Sequence, residues 1–116
     1  MPLERWSDSV AVVHLGDDPQ FSEDMEAAEQ LTPPCCNCVL DFSTIHYINS
    51  SNIAALLRLR RQVSNQNAKL ILCNVGNQVW ATFLMTGLDK IFEFSENVPT
   101  ALATMQMNGP GKSGKQ

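Results

Sequence analysis

An α/β fold with a largely parallel sheet is predicted by two features of the chain and by its size. Short apolar runs alternate with stretches of helical periodicity from end to end, and such alternation requires right-handed crossovers between parallel strands. One run, Cys38-Val39-Leu40-Asp41-Phe42, is nearly continuous apolar sequence, as expected of a central strand covered on both faces. The 116 residues, 44% hydrophobic and 17% charged, suit one compact domain.

The elements follow in order. Residues 9–15 read as a strand, with Val10, Val12 and Val13 around Ala11, ended by the turn composition Gly16-Asp17-Asp18-Pro19. Ser22 then stands as an N-cap. A helix over residues 23–31 places Met25, Ala28 and Leu31 at helical spacing, with acidic residues in its first turn, until Thr32-Pro33-Pro34 stops it. The central strand over 38–42 leads to a helix over residues 51–66. There Ile53, Leu56, Leu57, Leu59 and Val63 form a broad apolar stripe, leaving Arg58, Arg61 and Gln62 towards water.

The second half repeats the pattern. Residues 69–73 are a strand, and residues 77–86 put Val79, Trp80, Phe83 and Leu84 on one helical face before Gly87 ends the helix. A short strand over 91–94 precedes a last helix, with Pro99 in its first turn and Ala101, Leu102 and Met105 along it. A single domain is expected over residues 1–107. The stretch 108–116 lacks apolar residues and reads as a flexible tail.

Composition narrows the function. The formal charge is −4, and the one basic cluster, Arg58, Arg60 and Arg61, lies in a helix without interleaved aromatics, so no nucleic-acid partner is expected. The longest apolar runs are a few residues and the first residues lead into polar sequence, which predicts a soluble cytoplasmic protein without membrane insertion. Gly109-Pro110-Gly111-Lys112-Ser113 has neither the spacing nor the preceding strand of a phosphate loop.

Cys35 and Cys38 have the C-x-x-C spacing of a dithiol or of half a zinc site. Cys38, however, runs directly into a strand and not into a helix start. A zinc site would need two more ligands, and only Cys73, His14 and His46 are available, with no second close pair. Partly buried thiols without metal are therefore expected. His14 and His46 read as strand or loop residues with partly buried rings. Asp41, at a strand end, caps the following turn, while Trp80, Phe83 and Met85 divide between core and surface. No activated nucleophile or paired catalytic carboxylate emerges, so neither catalysis nor a cofactor is expected.

The most informative segment runs from the central strand into the long helix, Val39-Leu40-Asp41-Phe42-Ser43-Thr44-Ile45-His46-Tyr47-Ile48-Asn49-Ser50-Ser51-Asn52-Ile53. It places two serines where a helix begins. Their hydroxyls can cap the helix or accept a phosphate, which would lie among unpaired backbone N–H groups at the positive end of the helix dipole.

These residues carry a resemblance. From about residue 10 to residue 105 the chain resembles a STAS domain, the fold of the bacterial anti-sigma factor antagonists. Val39-Leu40-Asp41-Phe42-Ser43 is similar to that family's hydrophobic-Asp-Leu-Ser strand end, and the loop through Asn49-Ser50-Ser51-Asn52 is similar to its Asp-Ser-Ser-Gly core. Leu70-Ile71-Leu72-Cys73-Asn74-Val75, the segment 79–83 and Thr86-Gly87-Leu88-Asp89-Lys90-Ile91-Phe92 extend the likeness.

The resemblance implies a central mixed, largely parallel β-sheet with about four α-helices. It also implies an anti-sigma factor antagonist that binds an anti-sigma factor acting as a serine kinase and is released by serine phosphorylation. The phosphoacceptor it implies is Ser51, with Ser50 as runner-up. The partner-binding patch would comprise Asn49, Ser50, Ser51, Asn52 and Ile53, with Asp18 from an acidic turn that Asp17 and Asp18 resemble. Two positions depart from the family pattern: Asn49 stands for Asp and Asn52 for Gly. These substitutions remove a carboxylate and a bare backbone position, and both amides are competent to fold back and cap the loop. They suit an alternative, a structural STAS subunit of a transporter or signalling scaffold that is not phosphorylated.

Overall fold

The computed structural model describes residues 3–7, 10–17, 19–31 and 37–107. Five strands form one sheet whose spatial order repeats their order in the chain: β1 (Leu3–Ser7), β2 (Val10–His14), β3 (Asn37–Asp41), β4 (Leu70–Cys73) and β5 (Glu93–Ser95). β1 runs antiparallel to β2, and β2 to β5 are mutually parallel. Four helices join and flank them: α1 (Gln20–Leu31), α2 (Ser50–Asn65), α3 (Asn77–Thr86) and α4 (Val98–Met107). The sheet is thus mixed and largely parallel, with four helices, as expected.

Strand alternation divides the core. Val13, Cys38, Leu40, Leu70 and Leu72 face one side, where they pack with Phe21 and Met25 of α1, Leu56 and Leu59 of α2, and Val79 and Phe83 of α3. Val10, Val12, Val39, Ile71 and Cys73 face the other side, against Ala101 and Leu102 of α4. Rings run through the first layer in contact: Phe21 to Phe42, Phe42 to Phe83, and Phe83 to Phe94, with centroids 6.4, 6.2 and 5.4 Å apart.

Several boundaries differ from expectation for local reasons. β1 is an additional strand; its residues, LERWS, show no apolar alternation, and pairing with β2 defines it. α1 begins at Gln20, because the Asp17 carbonyl accepts the Gln20 N–H at 3.0 Å and Phe21 is drawn into the core; Ser22 therefore lies inside the helix and is not its N-cap. β5 begins at Glu93 and not at Ile91, since residues Leu88–Lys90 tighten into a 3₁₀ turn after Gly87. Gly87 takes φ +77°, the left-handed conformation that closes α3. Leu57 and Leu84, assigned to apolar faces, are exposed, because α2 and α3 each meet the sheet along a narrower stripe. Arg58 and Arg61 do face water, whereas Gln62 is half-buried and donates to the Glu29 carbonyl of α1 at 3.0 Å.

Cys38 and Cys73 are both buried, and Cys38 stands within β3. Cys35, Cys36 and the tail 108–116 lie outside the described residues. Among the described residues no helix is long and apolar enough to cross a membrane, and no cluster of His, Cys, Asp and Glu side chains is placed to hold a metal ion.

Candidate functional site

The loop between β3 and α2 is pinned to the neighbouring strands from its first residue. Asp41 closes β3 with a nearly buried carboxylate that accepts the Ser43 N–H at 2.9 Å and Asn74 Nδ2 at 2.9 Å, and lies 2.7 Å from His14 Nδ1. Asp41 therefore caps the following turn, as expected, and ties β2, β3 and the end of β4 together. Burial opposes ionisation of Asp41, yet the hydrogen bonds from Asn74, Ser43 and His14 outweigh it and hold the carboxyl below its ordinary value. Asn74 presents its amide from a left-handed backbone, φ +57°.

Further along, Thr44 Oγ1 donates to the Leu15 carbonyl at 2.7 Å. Asp17 then grips His46 twice: its carboxylate accepts the His46 N–H at 2.9 Å and meets ring Nδ1 at 2.7 Å. That backbone bond, with the ring contact second, lowers the Asp17 pKa from its ordinary value. The His46 side chain is 78% exposed, so its ring is not partly buried as expected; the half-buried carboxylate of Asp17 in the β2–α1 turn holds it at the surface. Ile45 is buried beneath the loop, Ile48 is half-buried, and Tyr47 is exposed.

The start of α2 resolves how the helix is capped. Asn49 is the N-cap, with extended backbone; its side chain accepts the Asn52 N–H at 2.9 Å, and the Asn52 side chain accepts the Asn49 N–H at 3.0 Å. This reciprocal capping box satisfies two orphan N–H groups with neutral amides. Ser50 and Ser51 occupy the first two helical positions and both are exposed. Of the two roles left open for the serine hydroxyls, capping is taken by the asparagines, the residues that stand where the resemblance implies Asp and Gly. Ile53 is half-buried against the main core. The structure brings Asn49, Ser50, Ser51, Asn52 and Ile53 together at one helix start, and Asp18 lies outside the described residues.

Sequence reasoning missed the Asp17–His46 and His14–Asp41 contacts. The one available signal was the parallel pairing of β2 with β3, which sets His14 directly beside Asp41 and Asp41 beside Cys73. The resulting His-Asp-Cys row has the wrong order for an activated thiol. Burial, with the Asp41 charge second, pushes the Cys73 thiol up to about 12. Of the aromatic and sulfur residues of α3, Phe83 is buried, Trp80 is half-buried against Phe94, and Met85 is 87% exposed.

Solved structures share this architecture. An anti-sigma-factor antagonist (STAS) domain protein from Planctomyces limnophilus matches with a TM-score of 0.76 at 18% identity, over 90% of this chain and 96% of that one. The RsbS protein of Moorella thermoacetica, in a serine-to-glutamate variant, gives 0.72 at 18% identity over 91% and 96%. A chain of the stressosome, described as a signal integration and transduction hub, gives 0.67 at 18% identity over 90% and 96%. At these identities the likeness shows the fold. The STAS domain model matches residues 8–101, and with the sheet order, the helices and the serine-bearing start of α2 in place, the chain belongs to the STAS domain family.

Proposed function

We propose that this chain is a non-catalytic, cytoplasmic interaction module, an anti-sigma factor antagonist that works by partner switching. Unmodified protein binds an anti-sigma factor with serine kinase activity, and transfer of a phosphoryl group to Ser51 releases it; Ser50 is the second candidate. One observation carries the reading: Ser51 is exposed on the first turn of α2, and Asn49 and Asn52 relieve it of capping. A phosphate there gains from the helix dipole and the early N–H groups, so the fold tolerates it. A docked partner meets about −1.5 to −2 new charges and their desolvation cost. Affinity falls without unfolding.

The test is purification of tagged protein from its native cells with and without ATP, followed by mass spectrometry and phosphopeptide mapping. A serine kinase that is lost as Ser51 gains a phosphate supports the switch. Kinase binding of equal strength by wild type and Ser51→Asp counts against it, as does absence of phosphate from Ser50 and Ser51 under every growth condition.

A second reading is a structural STAS subunit of a transporter or signalling scaffold, using the same helix start without modification. The neutral Asn49–Asn52 box favours it, because no carboxylate is left at Asn49 to orient a hydroxyl or hold a cation. It predicts a complex that survives ATP and is indifferent to Ser51→Ala.

A further inference from the structure

The groove between α1 and α2 contains a charge arrangement that release by repulsion alone does not use. Ser51, Ala54, Ala55 and Arg58 line it from α2, and Glu26 and Glu29 line it from α1, around a volume of about 460 Å³. Ser51 and Arg58 are seven residues apart, nearly two full turns, so they share one stripe of the helix at an axial separation of about 10.5 Å. Helical side chains lean towards the N-terminus, so a side chain at Arg58 reaches back over the turn of Ala54 and Ala55 in the direction of Ser51. On the groove face the turn between them carries only the methyl groups of Ala54 and Ala55.

In the unmodified protein Arg58 is engaged by Glu29, with Nε 3.6 Å from Oε2; the two side chains are 64% and 27% exposed. A pair this long and this wet is weakly held. A phosphate offers three acceptor oxygens, two of which a guanidinium can grip in parallel.

We propose that phosphorylated Ser51 is bound in cis by Arg58, which exchanges the Glu29 carboxylate for the phosphate. The inference rests on the reading of Ser51 as the phosphoacceptor. In the modifying step the γ-phosphoryl group of ATP moves to Ser51 Oγ. A new O–P bond forms, the bond to the bridging oxygen of ADP breaks, and the hydroxyl proton leaves to a base of the kinase. The phosphate then faces Glu26 and Glu29, and Arg58 is the guanidinium lining this groove that can screen it. The frame stays in place, since the bond from Gln62 Nε2 ends on the Glu29 backbone carbonyl and not on its side chain. The output is a redistribution of charge on a fixed surface. Arg58 is withdrawn from any partner that used it, and the Glu29 carboxylate is released.

The experiment needs no kinase. Phosphoserine is installed genetically at position 51 of the full chain, and the phosphate is titrated by phosphorus NMR while the Arg58 Nε–H resonance is followed. Arg58→Gln is expected to raise the second phosphate pKa by about half a unit. Arg58→Lys recovers part of that shift, Glu29→Gln lowers the pKa, and Arg61→Gln leaves it unchanged. An identical phosphate pKa in wild type and Arg58→Gln, with an Arg58 resonance indifferent to the phosphate, overturns the proposal. Because the phosphate is supplied, this outcome is separate from failure to find Ser51 phosphorylated in cells, which would remove the switch reading alone.

Discussion

Asn49 and Asn52 hold each other across the first turn of α2, each side chain accepting the other's backbone N–H. Asn52 is 2% exposed, so half of this box lies inside the protein, and both halves are neutral. The cap itself therefore carries no group that titrates. The serines between the two amides have no part in it.

Truncating the box separates capping from the hydroxyls. Asn49→Ala is expected to cost about 1 kcal/mol of stability, and Asn52→Ala about 1–2 kcal/mol because it removes the acceptor of the Asn49 N–H together with a side chain that is itself buried. Ser51→Ala is expected to stay within about 0.5 kcal/mol of wild type. Urea denaturation measures all three, and a loss for Ser51→Ala equal to that for Asn49→Ala would assign the hydroxyl a structural role.

Acid sensitivity is expected to centre on Asp41 and Asp17. Both carboxyls titrate below their ordinary value of 3.8 in the folded protein. The unfolded chain accordingly binds protons first as pH falls. The stabilisation these groups supply is complete above the unfolded pKa and is lost as pH falls through the folded one. Urea midpoints measured from neutral pH down to pH 3 should hold steady and then drop, with a shallower drop in Asp41→Asn. That variant should also lose about 1–3 kcal/mol at neutral pH, through the Ser43, Asn74 and His14 contacts. An acid slope unchanged by Asp41→Asn would contradict this account.

The buried thiol should be silent. With its pKa pushed up to about 12, Cys73 presents almost no thiolate at pH 8. Iodoacetamide labelling followed by peptide mapping is expected to miss Cys73 in the native protein and find it in denaturant. Equal labelling in both conditions would show that β4 opens readily.

Phe83 joins the ring row from both directions, touching Phe42, Phe92 and Phe94 while fully buried. Phe83→Ala should cost about 3–5 kcal/mol. Phe83→Leu, which fills most of the space, should cost less. Thermal and urea unfolding compare them, and a small loss for Phe83→Ala would mean that the layer collapses around the void.

Most of the α-helical half of the fold was legible because its signals are local, the start of α1 excepted, where the core position of Phe21 extends the helix back to Gln20. α3 falls on residues 77–86 as read, between a strand end and Gly87, and α2 differs by one residue at each end. β1 was not legible: Leu3–Ser7 carries Glu4 and Arg5 and acquires its identity from β2. The site divides the same way. Ser51 and its neighbours were visible as a helix start, whereas the choice of cap depended on two amides meeting through three residues of already formed helix. His46 and Asp17 are 29 residues apart, and their contact follows from strand register, which periodicity does not encode.

The consecutive strand order gives the protein a direction of growth. From β2 onward each strand pairs with the one made immediately before it, and no strand must be inserted between two that have already joined. Each parallel pairing, Val10 with Asn37, Cys38 with Leu70 and Ile71 with Glu93, closes a single crossover and no more, although parallel pairing of this kind is slow compared with local helix contacts. On the ribosome the sheet can lengthen one strand and one crossover at a time, from the N-terminal side. The serine-bearing turn between β3 and α2 lies midway in this sequence of events, so its strand frame on the β2 side is assembled while the cover that α4 provides on the opposite face has yet to be synthesised.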